Sequence, residues 1–344
     1  MSVLTFPTGT YHFNDHPLFD FQLNRVVMWN HGDPTEIQAR GGEITDFPSW
    51  ERVLKELSAQ AEAREDWAAA AGYLRMAEFF MAPDTPECHA AYDRAREIFY
   101  THFTYLFAEQ GGPIHREEVP YADGVLPCWR IVPTDTSKGA ILFHGGNDSL
   151  LEEFTDALLY LAQGGYTVLA FEGPGQGAAL RKSGLSFTPE WEKPVGAVLN
   201  HYGADNVTII GVSLGGELCM RAAAMEPRIR RVVSWSVLPS IYGALMADKP
   251  AEIRAKLGTG WTRTTGRLSW TSTPAWRSGS RCSAGPSSTP TTPTALPTCM
   301  NICKRPGPSP GSRWRSKLLR MYCSSAPGRT CWWTLASTSR RSTC

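Results

Sequence analysis

The sequence predicts an α/β fold, in which a mostly parallel sheet carries helices on both faces and follows a helical N-terminal lobe. Short apolar runs alternate with helical segments over residues 116–237, as in sheets whose strands are buried on both faces. Residues 48–110 show instead the spacing of amphipathic helices. We therefore divide the chain into an N-terminal segment with a helical cap (residues 1–115), an α/β core lacking its last strands (residues 116–256) and a tail (residues 257–344).

Three helices are predicted in the N-terminal lobe, after a region that we interpret as irregular, residues 1–47. In the first helix, apolar residues follow Trp50 at distances of three, four and seven positions, namely Val53, Leu54 and Leu57. The second contains Trp67, Ala71, Leu74 and Phe79, and the third runs from about Glu87 to Phe107. This lobe either serves packing alone or covers a substrate pocket.

The core is predicted to alternate strands with helices. The candidate strands are Arg116–Pro120, Leu126–Val132, Gly139–Phe143, Thr167–Phe171, Val207–Ile210 and Arg231–Val237. The candidate helices are Leu151–Gln163, Pro189–His201 and Glu217–Met225. This alternation favours parallel strands joined by helical crossovers.

The charge distribution divides the chain near residue 256. The 344 residues carry 34 Lys and Arg against 33 Asp and Glu, a formal net charge of +1. No acidic residue follows Glu252 and no histidine follows His201, so residues 257–344 carry +13 and the remainder carries −12. The same tail holds 6 of the 9 cysteines and 6 of the 12 tryptophans. An averaged composition therefore describes neither part.

Composition and spacing exclude several classes of protein. No run of 18 apolar residues is present and the N-terminus lacks the pattern of a signal peptide, so we expect no membrane association. The cysteines before the tail, Cys88, Cys128 and Cys219, are isolated from one another. Their spacing predicts no disulfide and no metal site, which fits a cytoplasmic location. We also expect no cofactor.

The stretch Val207–Leu218 predicts a strand, a tight turn and a helix, with the pattern G-x-S-x-G at the turn. Such a turn lifts a serine hydroxyl above the sheet edge, at the positive end of the following helix. Glycines flank the serine because side chains there would collide with the neighbouring strand and helix. Ser213 is therefore the candidate nucleophile. The alternative is that Ser213 lies in a tight turn and has no catalytic role.

A second Gly-rich turn follows the predicted strand Gly139–Phe143 and supports this assignment. Acyl chemistry needs two N–H donors directed at a developing oxyanion. We assign one donor to Leu214, directly after the nucleophile, and the other to Gly146 or Asn147.

Three further residues are predicted to line the pocket: His144, Gly145 and Glu172. His144 is expected to shape its turn rather than to act as a base. Glu172 either tunes the site or makes hydrogen bonds within its own turn. The sequence that follows it, up to Gly177, lacks the Lys-Ser/Thr of a P-loop and the spacing of a dinucleotide site, so we expect no nucleotide.

Four stretches carry a family resemblance: HGGNDSLLEEF (144–154), FEGPGQGAALR (171–181), FTPEWEKPVGAVL (187–199) and GVSLGGEL (211–218). Over residues 25–255 the chain resembles α/β-hydrolases with an N-terminal helical cap. Similar groups are the 2,6-dihydroxypseudooxynicotine hydrolase-like and fermentation-respiration-switch-like proteins, with some fungal polyketide-shortening hydrolases nearby. The resemblance implies the α/β-hydrolase fold and a catalytic triad completed by an Asp and a His. Some relatives cleave carbon–carbon bonds next to a ketone and others are esterases.

The chain departs from this family after Ser213, because no histidine follows and the remaining acids do not come after a later strand. We interpret the tail as out-of-frame translation that begins near residues 256–270, and we expect it to be disordered. In a shifted reading frame, each new codon takes the third base of one codon and the first two bases of the next. Under that shift, five pairs of neighbouring residues can encode only Val, Leu, Leu, Val and Asp. These pairs are Met321–Tyr322, Tyr322–Cys323, Cys331–Trp332, Trp332–Trp333 and Trp333–Thr334. This order matches a buried strand followed by an acidic turn, where the family carries its triad Asp.

The sequence therefore predicts a serine hydrolase acting on a small carbonyl substrate, with impaired activity in this chain. One alternative is a catalytically dead relative or ligand-binding module. Another is a genuine basic tail that associates with nucleic acid, although we expect no nucleic-acid partner. The sequence leaves open whether the chain forms a homodimer.

Overall fold

A six-stranded sheet forms the core of the region that the computed structural model describes, which comprises residues 9–83, 85–236, 243, 250 and 251. The strands are β1 (Ile114–Tyr121), β2 (Gly124–Ile131), β3 (Ala140–His144), β4 (Thr167–Phe171), β5 (Val207–Val212) and β6 (Ile229–Trp235). Their order is β1-β2-β4-β3-β5-β6. The β1–β2 and β2–β4 pairs are antiparallel, and the other three pairs are parallel. The predicted mostly parallel sheet is confirmed.

Five helices make up the N-terminal lobe: α1 (Pro17–Trp29), α2 (Pro34–Arg40), α3 (Phe47–Ala63), α4 (Trp67–Glu78) and α5 (Pro86–His102). The last three match the predicted helices, although α5 ends five residues earlier than expected. The interpretation of residues 1–47 as irregular is wrong for α1 and α2. Both helices begin with a proline, and the Asp33 side chain accepts a hydrogen bond of 2.6 Å from the Thr35 N–H at the start of α2. Residues 30–34 are therefore the end of one helix and the cap of the next.

Four helices connect or follow the strands of the core: α6 (Thr155–Gln163), α7 (Gly177–Arg181), α8 (Glu192–His201) and α9 (Leu214–Met225). A short 3-10 turn, Leu151–Phe154, precedes α6. The predicted helices are present, whereas α7 was not expected because its five residues lie inside a Gly-rich stretch. None of the helices in the described region has both the length and the apolar character needed to cross a membrane.

Two groups of buried side chains hold these elements together. In the N-terminal lobe, Trp50 and Tyr73 are completely buried, and the Trp50 indole N–H donates to the Met76 carbonyl oxygen over 2.7 Å. Beneath the sheet, Phe143 and Phe154 pack with ring centroids 5.0 Å apart. Full burial of one such ring stabilises the fold by roughly 2–3 kcal/mol.

The topology brings the three motifs of the sequence to one edge of the sheet. Strands β3, β4, β5 and β6 run parallel, so their carboxyl ends lie at the same edge. The turns that follow β3, β4 and β5 contain the HGGN, EGPGQG and SLGG sequences. Ligand sites of open α/β sheets occur at this edge. The tail, residues 257–344, for which we predict frameshift and disorder, lies outside the described residues.

Candidate active site

Ser213 occupies a strained turn between β5 and α9. Its backbone angles are φ 57° and ψ −120°, a region that residues with side chains seldom adopt. The Ser213 N–H donates to the Trp235 carbonyl oxygen over 2.9 Å, which ties the turn to β6. The side chain is exposed, and its hydroxyl forms no hydrogen bond with any described residue. The turn therefore presents an unengaged hydroxyl at the carboxyl edge of the sheet.

The glycines around Ser213 allow three backbone segments to meet. A Cβ atom at Gly211 would overlap the Gly215 carbonyl oxygen, and one at Gly215 would overlap the Gly145 carbonyl oxygen. At Gly146, a Cβ would overlap the Val212 carbonyl oxygen. The turn after β3 and the turn after β5 are therefore in direct backbone contact.

The candidate oxyanion donors lie at this contact. The Leu214 N–H belongs to the first residue of α9, where helix N–H groups lack partners within the helix. The Gly146 N–H donates to the Ser149 hydroxyl over 3.0 Å. Asn147 is exposed, and its side-chain amide donates to the Asp148 carboxylate over 2.5 Å. No hydrogen bond of the Asn147 backbone N–H to a described residue is present, so of the two alternatives Asn147 has the freer donor.

His144 is completely buried under the same turn, and both of its ring nitrogens are engaged. The Trp191 indole N–H donates to Nε2 over 3.2 Å. The proton of the neutral ring is consequently on Nδ1, which donates to the Gly145 carbonyl oxygen over 2.9 Å. Burial lowers the pKa of His144 to about 4, and the hydrogen bond to Gly145 offsets this only in part. The imidazole is therefore neutral at pH 7 and has no free nitrogen to accept a proton.

Gln176 joins two of the turns and was not among the predicted site residues. Its side-chain amide donates to the Gly145 and Gly146 carbonyl oxygens over 2.8 and 2.9 Å, and its carbonyl oxygen accepts from the Gly173 N–H over 2.8 Å. The side chain is almost fully buried. The three hydrogen bonds of the Gln176 side chain thus join the backbone of the turn after β4 to that of the turn after β3.

Replacing Gln176 by Leu should lower the free energy of unfolding by about 2 kcal/mol, because the Gly146 carbonyl and the Gly173 N–H lose their buried partners. Urea unfolding followed by circular dichroism measures this loss. The matched control is Gln38→Leu on the exposed face of α2, which should change stability by less than about 0.5 kcal/mol. Equal effects at the two positions would show that the Gln176 contacts contribute nothing.

Glu172, at the end of β4, is buried against the start of two helical segments. Its carboxylate accepts from the Leu151 N–H over 3.1 Å and from the Ala178 N–H over 2.6 Å. Burial, together with the negative charge of Glu152, raises the pKa of Glu172 to about 7, although Arg96 and the two backbone donors oppose the rise. Glu172 thus accepts hydrogen bonds from the starts of two helical segments, one of them 21 residues away along the chain, and not from its own turn alone.

The Glu172 carboxyl should titrate near pH 7. Carbon NMR of the isotopically labelled side chain measures the midpoint of this titration. The Glu172→Gln variant assigns the resonance. Because the folded pKa lies above the ordinary value of 4.5, the folded state holds more protons than the unfolded state between these values. The contribution of Glu172 to stability is therefore greatest below about pH 4.5, declines as pH rises to about 7 and is constant above it. A midpoint near 4.5 would contradict the effect of burial.

An interface ion cluster of buried and partly buried charges joins the N-terminal lobe to the turns after β3 and β4. Its members are Arg25, Arg75, Arg96, Arg181, Glu78, Glu152, Glu153 and Glu172. Glu153 lies at its centre and pairs with Arg25 over 2.7 Å and with Arg75 over 3.4 Å. Arg75 also donates to the Asp148 carbonyl oxygen, which positions the turn that contains Asn147. The lobe therefore supports the candidate oxyanion turn directly.

No group of three or more His, Cys, Asp or Glu side chains in the described region is placed to hold a metal ion. The site consists of the strained serine, backbone donors and a neutral histidine. Such a set can form an oxyanion-stabilised adduct at Ser213, provided that a base takes the serine proton.

Comparison with known proteins agrees with this architecture. A family model described as the α/β-hydrolase fold matches residues 141–265. The chain is an α/β-hydrolase-fold protein, and the fold expected from its motifs is confirmed.

Curated fungal proteins are similar to the chain at 28–30% sequence identity. The hydrolyase poxO of Penicillium oxalicum is 29% identical over 262 residues, which cover 65% of this chain and 61% of that protein. The α/β hydrolase gkaG of Penicillium citrinum is 28% identical over 294 residues, or 74% and 67% of the two chains. The α/β hydrolase psoB of Aspergillus fumigatus is 30% identical over 290 residues, or 71% and 64%. The chain thus spans less than two thirds of the length of poxO and psoB.

Among solved structures, a 2,6-dihydroxy-pseudo-oxynicotine hydrolase is similar at 23% identity with a TM-score of 0.47, covering 61% of this chain and 63% of that chain.

Proposed function

We propose that this chain is a serine hydrolase in which Ser213 attacks the carbonyl carbon of a small organic substrate. The observation that supports this most directly is the strained backbone of Ser213, at φ 57° and ψ −120°, which exposes at the carboxyl edge of the sheet a hydroxyl that has no partner among the described residues. Backbone strain of this kind is retained where function requires it. The names of the fungal relatives as hydrolases agree with the proposal.

In the proposed reaction, a bond forms between Ser213 Oγ and the carbonyl carbon, and the carbonyl electron pair moves onto its oxygen. The N–H groups of Leu214 and Asn147 stabilise that oxyanion, with the Gly146 turn holding Asn147 in place. Collapse of the adduct re-forms the carbonyl and breaks either an ester carbon–oxygen bond or a carbon–carbon bond next to the carbonyl. The leaving oxygen or carbon keeps the electron pair of that bond and takes up the proton that Ser213 lost. Water then releases the acyl group from Ser213.

The proton of Ser213 needs a base, and the described residues do not supply one. His144 is neutral, but both of its nitrogens are engaged. No histidine follows His201 in the sequence. Loss of the triad base reduces turnover by several orders of magnitude in serine hydrolases. We therefore propose that this polypeptide turns over ester substrates slowly.

A fluorophosphonate probe with peptide mass spectrometry tests the nucleophile. We expect slow labelling of Ser213 that added imidazole accelerates, because imidazole can take the serine proton. Ser213→Ala should abolish the labelling, and Ser137→Ala, at an exposed serine before β3, should not change it. A folded protein that stays unlabelled at Ser213 with imidazole present would contradict the proposal and favour a ligand-binding module.

We also propose that the sequence beyond about residue 260 results from a change of reading frame, that the other frame encodes the family's triad Asp, and that this chain stops before the His. Sequencing the transcript tests this. An uninterrupted single frame with ordinary codon usage through residues 257–344 would overturn it. Restoring the frame should raise ester hydrolysis by several orders of magnitude if the frame change removed the base.

A further inference from the structure

Two side chains from the turn after β4 hold the turn after β3 at both of its ends. At the start of that turn, the Gln176 amide donates to the Gly145 and Gly146 carbonyl oxygens. At its end, the Glu172 carboxylate accepts from the Leu151 N–H over 3.1 Å. The segment between these contacts contains the backbone N–H that we propose as an oxyanion donor. The position of that donor therefore depends on the turn after β4.

The Glu172 carboxylate is also fixed to its own turn. Its other oxygen accepts from the N–H of Ala178, the second residue of α7, over 2.6 Å. A Cβ atom at Gly177 would overlap the Glu172 carboxyl group, so the backbone of the turn packs directly against it. The residue is only 4% exposed. The carboxylate is thus shared between two backbone N–H groups, and it cannot move toward one without leaving the other.

The charged and titratable groups that face Glu172 come from the 3-10 turn before α6, from α5 and from β2. They are Glu152 in the 3-10 turn, Tyr92, Arg96 and Tyr100 in α5, and Cys128 in β2. Arg96 pairs with Glu152 over 3.2 Å, and no cation among the described residues forms an ion pair with Glu172. Within the described region, the two backbone N–H groups are therefore the only hydrogen-bond donors to this carboxylate.

The protonation state of Glu172 determines how firmly both N–H groups are held. An ionised carboxylate has two acceptor oxygens, whereas protonation converts one of them into a hydroxyl group, which is itself a donor. Hydrogen bonds to an ionised acceptor are also roughly twice as strong as bonds between neutral groups. Protonation therefore weakens the contacts with Leu151 and Ala178. The Gln176 amide does not titrate, so only one end of the turn after β3 changes with pH.

We propose that Glu172 is a positioning residue for the reaction at Ser213: when ionised it fixes the turn after β3 so that the Asn147 N–H faces the oxyanion, and when protonated it loosens that turn. The role of Glu172 rests on the proposed hydrolase function, because it acts through the oxyanion donor of that reaction. Glu172 itself is buried and exchanges no proton with Ser213. Its protonation therefore slows the reaction without removing a reacting group.

The rate at which a fluorophosphonate labels Ser213 of the full chain, with imidazole present, tests the proposal. The quantity to compare is the rate of the native chain divided by that of Glu172→Gln. The pH dependence of imidazole and hydroxide affects both rates equally and cancels in this ratio. We expect a ratio of about ten at about pH 8.5 and about one at about pH 5.5, as for the loss of one charge-assisted hydrogen bond. The midpoint should lie near pH 7, because burial and the Glu152 charge raise the pKa of Glu172 to about 7.

The matched control is Glu118→Gln, at an exposed position of β1, for which the same ratio should stay near one at every pH. A ratio for Glu172→Gln that does not change with pH would overturn the positioning role while leaving Ser213 as a labelled nucleophile. A chain that is never labelled at Ser213 would instead contradict the hydrolase function, and the role of Glu172 with it.

If Glu172→Gln fails to fold, the native chain alone decides the question. The NMR resonance of the Asn147 backbone amide should shift with the same midpoint as the Glu172 carboxyl, because the turn after β3 moves when that carboxyl gains a proton. An Asn147 resonance that stays constant while the Glu172 carboxyl titrates would overturn the proposal.

Discussion

Glu153→Ala should lower the free energy of unfolding by about 3–5 kcal/mol, as expected when one partner of a buried ion pair is removed. The Glu153 side chain is 1% exposed and pairs with both Arg25 and Arg75. It also accepts from the Leu150 N–H over 3.0 Å and from the Asn30 amide over 3.3 Å. Its removal would leave two buried guanidinium groups without their central carboxylate. Urea unfolding measures the loss.

An exposed ion pair provides the control for this prediction. Glu97→Ala removes one of the two partners of Arg94, the other being Glu62, and should cost less than about 1 kcal/mol because the Glu97 and Arg94 side chains are 63% and 45% exposed. A cost for Glu153→Ala as small as that of Glu97→Ala would show that the pairing of Glu153 adds no stability.

The stability that Glu153 provides should also depend on pH. Burial pushes the pKa of Glu153 up, but the charges of Arg25 and Arg75 outweigh it and hold the pKa below the ordinary value of 4.5. Because the folded pKa is the lower one, the contribution is complete above about pH 4.5 and is lost as the pH falls through the folded pKa. The difference in stability between the native chain and Glu153→Ala should therefore shrink in acid.

Gly146→Ala should lower the free energy of unfolding by about 3 kcal/mol and slow the labelling of Ser213. The new Cβ would overlap the Val212 carbonyl oxygen and lie 2.9 Å from the Leu214 nitrogen and 3.0 Å from the Ser213 Cβ. A backbone atom cannot turn aside as a side chain can, so the two turns must separate. That movement displaces Asn147 from Leu214 and would weaken any oxyanion contact between them.

Gly42→Ala is the matched control, because a Cβ at Gly42 meets no atom within 4 Å. It should leave both stability and labelling close to those of the native chain. If Gly146→Ala kept the native labelling rate while folded, the contact between the two turns would have no role in the chemistry.

Sequence patterns predicted the parts of the fold that depend on local or periodic signals. Apolar runs located β3, β4 and β5, and helical spacing located α3 and α4, because burial on two faces or on one stripe imposes those patterns. The same patterns missed α1, α2 and α7. Those helices are short, or depend on caps and packing partners that a periodic pattern does not show.

For the site, the motifs placed Ser213, Gly146 and Glu172 on turns that meet at one edge of the sheet. They did not reveal that the Gly146 N–H is engaged by Ser149. Nor did they identify Gln176, although it lies within the quoted EGPGQG sequence. Its role depends on carbonyl groups 30 and 31 residues away along the chain.

By itself, the sequence determined the α/β fold, the serine turn and the change in charge near residue 256, since each depends on neighbouring residues or on composition. Tertiary structure alone decided the interface ion cluster. Arg25 and Glu153, for example, are 128 residues apart in the chain but pair over 2.7 Å. The sequence around a charged residue does not indicate which distant residue will form an ion pair with it. Folding is what removes both groups from water and makes their pairing necessary.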